Sequence, residues 1–220
     1  MDTSGLTETV QDYLKEIYKL QASGRPPTTT AIAERMGVKS PSATAMVKKL
    51  AALGLVDHKR YRRGVVLTEA GEKIAIEVIR HHRLLELYLT ERLGLAIDAV
   101  HAEADRLEHA LSEELEARID ESLGYPTHDP HGDPIPGPDL RLQPPELRTL
   151  ADLAPGEGAT IRRIPDGRAD LLRYLSELGL LPGEAAEVSE SAPFGGPVTV
   201  RVGRGEHAIS RELAAQISVA

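Results

Sequence analysis

Cysteine is absent from the 220-residue chain. Disulfides, thiolate metal sites and cysteine nucleophiles are therefore excluded, and the composition agrees with a reducing compartment. Tryptophan is absent too, phenylalanine occurs once, and aromatic residues make up 3% of the chain. The cores must be built from Leu, Ile, Val and Ala. No apolar run is long enough for a signal peptide or a membrane span, so the expectation is a soluble, cytoplasmic protein with no membrane partner. A net charge of −8 argues at first against nucleic acid, but the charge is unevenly spread. Residues 1–80 carry 13 Lys and Arg against 9 Asp and Glu, residues 81–140 carry 4 against 14, and residues 141–220 carry 9 against 11. A basic front joined to an acidic middle is the asymmetry expected when one part meets phosphate and another holds cations.

The helical spacing of Val10, Tyr13, Leu14, Ile17, Tyr18 and Leu20 predicts a first helix from Thr7 to Ala22, stopped by the Gly and Pro residues of 23–27. A short helix from Thr30 to Met36 follows and ends at Gly37. A third opens at Ser40-Pro41, with Ser40 at the N-cap and Pro41 in the first turn, and ends near Gly54. Leu55-Val56 and Val65-Val66-Leu67 flank a basic stretch and predict a β-hairpin. Thr68 caps a long helix, Glu69 to Leu93, and a single further helix runs from Asp98 to Leu123 before Gly124. Between Tyr125 and Pro145 lie seven of the 15 prolines, which leaves an extended linker or ordered loop. Beyond Glu146, the β-runs Ala159–Ile164, Ala186–Glu190, Val198–Val202 and His207–Ile209 surround one helix near Asp170–Leu178, the pattern of a small β-barrel.

Two helices joined at Gly37, with a hairpin directly after, give a winged helix-turn-helix layout in which the second helix reads the major groove. The candidate DNA contacts are Thr29 and Thr30 at the start of one helix and its approach, and Ser40, Pro41, Ser42 and Thr44 at the start of the next. These side chains are short, which suits thymine methyls and single hydrogen bonds rather than bidentate guanine readout. Lys48 and Lys49 lie one to two turns on and are expected to reach phosphates. The wing tip offers Lys59, Arg60, Arg62 and Arg63 for the backbone.

Four of the eight histidines fall within residues 81–109. His82 and Glu86 are one turn apart and share a helical face. His101, Asp105, Glu108 and His109, on the next helix, are spaced to share another. Imidazoles and carboxylates without sulfur favour Mn²⁺, Fe²⁺, Co²⁺ or Zn²⁺, and the hard oxygens shift the balance toward Mn²⁺.

Taken in order, these motifs resemble the diphtheria-toxin repressor and manganese-transport-regulator family of metalloregulators. The resemblance rests on Asp12-Tyr13-Leu14-Lys15-Glu16-Ile17-Tyr18, on Ile32-Ala33-Glu34-Arg35-Met36 followed by Pro41-Ser42, and on His82-Arg83-Leu84-Leu85-Glu86. It continues through Val100-His101, Glu108-His109 and the linker Gly132-Asp133-Pro134-Ile135-Pro136-Gly137. It implies a mainly α fold with small β content. A winged helix-turn-helix would occupy residues 1–74, a helical metal-binding and dimerisation domain with its Pro-rich linker 75–145, and an SH3-like, FeoA-type barrel 146–220.

It further implies a non-enzymatic repressor that binds palindromic double-stranded operator DNA as a metal-loaded homodimer and controls metal-uptake genes. Two metal sites per subunit are implied: a primary one at Asp12, Asp105, Glu108 and His109, and an ancillary one at His82, Glu86 and His101. Asp12 would tie the reading head to the dimerisation domain through the metal. Asp12 and Asp105 stand where iron-responsive members carry a Met and a Cys, which leans the effector toward Mn²⁺. However, Lys15 stands where the manganese regulator has an acidic residue. Asp166, Asp170 and Glu177 are candidates for a ligand from the third domain. An Fe²⁺-dependent repressor of iron uptake is the alternative within the class. A metal buffer or transport accessory and a metal-dependent hydrolase are the alternatives outside it, and both leave the basic wing without a role. No small-molecule substrate is implied.

Overall fold

In the computed structural model, residues 6–57, 64–142 and 147–220 are described, and they fall into two compact units. The first comprises residues up to His82 together with 107–112 and 136–142. Helix α1 (Glu8–Ala22) starts after Thr7 and lays Val10, Tyr13, Leu14, Ile17 and Leu20 into the core of this unit. Helix α2 (Thr29–Arg35) is capped by Thr28, whose hydroxyl accepts from Ala31 N. Helix α3 (Ser40–Ala52) buries only Ala43, Val47 and Leu50, so the rest of its surface faces outward. Its N-cap is Lys39 rather than Ser40. Ser40 already belongs to the first turn, where its carbonyl accepts from the Thr44 hydroxyl.

Strands β1 (Val56–Asp57) and β2 (Val66–Leu67) pair antiparallel as the base of the wing. The predicted tip contacts Lys59, Arg60, Arg62 and Arg63 lie outside the described residues. Helix α4 (Glu69–Leu93) has the predicted bounds. Thr68 caps it, accepting from Gly71 N and donating to Gly54 O, which ties the helix start to the end of α3.

Of the described residues, the second unit holds 83–106, 113–135 and 147–220. The single helix expected from Asp98 to Leu123 is in fact two, α5 (Val100–Leu107) and α6 (Glu113–Ser122), with a turn at 108–112 between them. Ser112 followed by Glu113, Glu114 and Glu116 is a helix-start signal, since an acidic first turn complements the exposed N–H groups. Within the Pro-rich stretch, a bridge pairs His128 with Pro134.

Strands β3 (Arg148–Thr149), β4 (Gly158–Arg163), β5 (Ala185–Ser191), β6 (Val198–Val202), β7 (Gly205–Ile209) and β8 (Ser218–Val219) form a sheet in the order β3-β8-β4-β5-β6-β7. Helix α7 (Ala169–Leu178) buries Leu172 and Leu175 against this sheet's core, which also holds Ile161, Val188, Val200 and Ile217. The sequence pattern anticipated the four longer strands and α7. It gave no sign of β3, β8 or the short α8 (Arg211–Ala214), because two- to four-residue elements carry too little periodicity to register.

Candidate metal centres

In the first unit, side chains from α1, α4 and the turn after α5 converge on Glu108. Its carboxylate is buried and is held from several sides. Oε1 accepts from Lys15 Nζ at 2.6 Å, Oε2 accepts from His82 Nδ1 at 2.6 Å, and His109 Nε2 lies 3.4 Å from Oε1. The Glu108 carbonyl pairs with His81 Nδ1 at 3.1 Å, which fixes the turn itself. Asp12, from α1, brings Oδ1 to 2.9 Å from His109 Nε2. The donor atoms of Asp12, Glu108 and His109 all lie within 4.8 Å of one another.

Gln11 Oε1 accepts from His109 Nδ1 at 2.7 Å. That bond orients the ring and, in the neutral tautomer, aims the Nε2 lone pair into the cluster. Hydrogen bonding to Asp12 raises the His109 pKa above its ordinary value; burial opposes this, and the Glu108 charge adds to it. Gln11 has no ligand-type spacing, and nothing in the sequence singled it out.

A second cluster lies in the other unit. Glu86, almost wholly buried on α4, sets Oε1 3.0 Å from His101 Nδ1 and Oε2 3.6 Å from His131 Nδ1. The donor atoms of Glu86, Asp129 and His131 lie within 4.8 Å of one another, and all three residues are buried. Neither ring nitrogen of His131 has a hydrogen-bond partner among the described residues. The 3.6 Å approach of Glu86 is too long for a hydrogen bond and acts through charge.

Burial disfavours the protonated His131 ring, yet Glu86, Asp129 and Asp166 outweigh it and raise its pKa. Burial, with Asp133 and Glu86, pushes the Asp129 carboxyl up to about 7. Arg83 restrains this charge from behind, 3.7 Å from Asp129 Oδ2 and 3.5 Å from Asp133 Oδ1. Two buried carboxylates beside an imidazole whose nitrogens lack hydrogen-bond partners among the described residues form an arrangement that a divalent cation would stabilise.

Of the predicted ligands, Asp12, Glu108 and His109 meet in the first unit, where His82 is bonded to Glu108. Glu86 and His101 meet in the second. Asp105 is exposed, with Oδ2 3.6 Å from His101 Nε2. Of the third-domain candidates, Asp166 is near enough for its charge to act on His131. Asp170 is committed to Arg168 at 2.6 Å, and Glu177 is exposed. Asp129 and His131 were missed, because the Pro-rich stretch read as a connection. The signal was the density of His and Asp in His128-Asp129-Pro130-His131-Gly132-Asp133.

Thr30, Ser40, Pro41, Ser42, Lys48 and Lys49 are exposed, and Thr29 and Thr44 are half-buried. No helix among the described residues is long and apolar enough to cross a membrane.

Residues 5–64 match the N-terminal DNA-binding domain of iron-dependent repressors, residues 68–137 match their metal-binding and dimerisation domain, and residues 148–220 match the FeoA domain. The iron-dependent repressor IdeR of Mycobacterium tuberculosis is 34% identical over 226 residues, covering 97% of both chains. The diphtheria toxin repressor of Corynebacterium efficiens is 39% identical over 162 residues, covering 71% of this chain and 70% of that one. A solved manganese-dependent transcriptional repressor in complex with manganese superimposes with a TM-score of 0.86 at 39% identity, covering 96% of this chain and 98% of the other.

A reading head of this kind, joined to a metal-binding and dimerisation domain, defines a metal-dependent transcriptional repressor rather than an enzyme. The chain belongs to the iron-dependent, or diphtheria-toxin, repressor family, in the form that carries a C-terminal FeoA domain.

Proposed function

We propose that this chain is a manganese-dependent repressor that binds palindromic double-stranded operator DNA as a metal-loaded homodimer in the cytoplasm and controls metal-uptake genes, with manganese transport foremost. The observation that carries the choice of metal is the donor set. Asp12, Glu108 and His109 on one side, and Glu86, His101, Asp129 and His131 on the other, offer carboxylate oxygens and imidazole nitrogens and no sulfur. Hard oxygens in that proportion favour Mn²⁺ over softer ions. The proposed stoichiometry is two ions per subunit, with Asp105 a further donor beside His101 and His82 the residue that orients Glu108.

A divalent ion supplies positive charge at each cluster; the chain supplies placement. Asp12 sits on α1, whose buried face is part of the reading head's core, and Glu108 and His109 sit on the turn after α5. The carboxylates of Asp12 and Glu108 bring more negative charge than Lys15 compensates, and a divalent cation offsets the remainder. Holding them together fixes α1, and the DNA-competent arrangement is favoured by the difference in metal affinity between the two states.

Fe²⁺ as the effector is the second reading, favoured by the similarity to IdeR along nearly the whole chain. Fluorescence anisotropy of the metal-free protein on palindromic promoter DNA, titrated anaerobically with each ion, separates the two. Tight binding at lower free Mn²⁺ than Fe²⁺ supports manganese. The reverse order replaces it with iron, and indifference to both ions removes the sensing role.

A further inference from the structure

One charged group in the first cluster has no role in the reading above. Lys15 is 5% exposed, one turn beyond Asp12 on the same face of α1, and its ammonium lies 2.6 Å from Glu108 Oε1. A buried ammonium is tolerated only when a partner compensates the water it has lost. Glu108, itself 1% exposed, is that partner.

The same oxygen is the one that faces His109 Nε2 at 3.4 Å, while the other oxygen is taken by His82. Glu108 therefore has no oxygen to offer a metal ion that is not already engaged. A divalent ion seated between Asp12, Glu108 and His109 must take Oε1 from Lys15 or share it. Either way, a positive charge fixed by packing stays within a few ångströms of the ion.

We propose that Lys15 sets the affinity of the Asp12–Glu108–His109 cluster. Its ammonium is a built-in cation that ties Glu108 to α1 before any metal arrives and limits the cluster to a single, more weakly held ion. Charge counting supports both halves. The carboxylates of Asp12 and Glu108 bring two negative charges, and Lys15 neutralises one of them permanently. The incoming ion meets half the attraction of an uncompensated pair, and a second ion would be repelled outright. The metal-free unit, in turn, is spared an isolated buried carboxylate at the junction of three segments. The reading head thus keeps a link to the turn after α5 that does not depend on metal. This rests on the reading of the cluster as a metal site.

The test is Mn²⁺ binding to the full chain, followed by EPR of the free ion. Asp12→Asn identifies which bound ion belongs to this cluster, as the one that variant loses. Lys15→Met should tighten that ion's Kd at least ~10-fold, because a like charge within a few ångströms is removed, and should leave the other ion's Kd unchanged. Without metal, the same variant should melt lower, by on the order of 10 °C, since Glu108 loses its buried counter-charge. Added Mn²⁺ should restore the loss. Lys15→Arg keeps the charge and should bind Mn²⁺ as the unaltered protein does.

Loss of packing alone would weaken metal binding, so unchanged or weaker binding in Lys15→Met overturns the proposal. If Lys15→Met does not fold, Lys15→Gln retains a hydrogen bond to Glu108 without the charge and carries the same expectation. An unaltered protein that binds no Mn²⁺ at all defeats the metal-site reading itself. Two bound ions that are indifferent to residue 15 defeat only the role given to Lys15.

Discussion

Replacing Gly132 by alanine should disable the second cluster while leaving the first intact. Gly132 has φ of +86°, a conformation that costs an L-residue about 1 kcal/mol or more. Space is the larger obstacle. A Cβ there would lie 1.8 Å from Arg162 O and 2.9 Å from Arg163 Cα, both backbone atoms of β4. Real Cβ contacts essentially never fall under 3.0 Å, so the loop and the strand must part by more than 1 Å.

The loop cannot part locally. Asp129 Oδ1 accepts from both His131 N and Asp133 N, and Ile164 N donates to His131 O at 2.9 Å. Displacing Gly132 therefore moves Asp129 and His131 with it. Coordination distances tolerate roughly 0.2 Å, so the ion proposed for Glu86, Asp129 and His131 should bind at least ~10-fold more weakly, the scale on which disturbed ligand orientation registers.

Mn²⁺ titration with thermal melting reads the effect, and Gly71→Ala serves as the control. There the added Cβ meets Leu55 O at 2.0 Å inside the reading head, so DNA affinity should fall while the second cluster keeps its ion. A Gly132→Ala protein that binds both ions and melts like the unaltered one would refute the reasoning.

Two further outcomes are expected. Lys48→Ala and Lys49→Ala, both exposed on α3, should each weaken binding to every DNA sequence and lower the salt slope by about 1; a loss confined to one operator contradicts a phosphate role. In the metal-free protein, the hydrogen bond to Asp12 raises the His109 pKa above 6.5. The stability it confers is full below the ordinary histidine pKa and fades as pH rises through the raised value. Metal binding needs Nε2 unprotonated and should strengthen over the same interval. Asp12→Asn should flatten the stability profile measured by chemical denaturation as pH rises above 6.5, and a profile already flat there in the unaltered protein counts against the pairing.

Much of the molecule was legible in its residues. The first three helices, the strand pair at the base of the wing, the bounds of α4, the four longer barrel strands and α7 all follow from apolar spacing, caps and breakers, which act between residues close in the chain. Local geometry also put His82 and Glu86 one turn apart on α4, but the single face expected for His101, Asp105, Glu108 and His109 fails because α5 ends at Leu107. Cysteine's absence alone settled that every strong ligand here would be oxygen or imidazole nitrogen.

What the residues did not reveal depends on segments distant in sequence. Glu108 and His109, in the turn at 108–112, meet Asp12, Gln11 and Lys15, which lie more than 90 positions earlier in the chain. Asp129 and His131 gain their place because a Pro-rich loop, featureless by periodicity, is pinned to β4 by Gly132 and Ile164. Composition could supply the donors and the local rules could set their helices. Which donors share an ion, and which of them already hold a lysine, was decided only when packing brought buried charges within reach of one another.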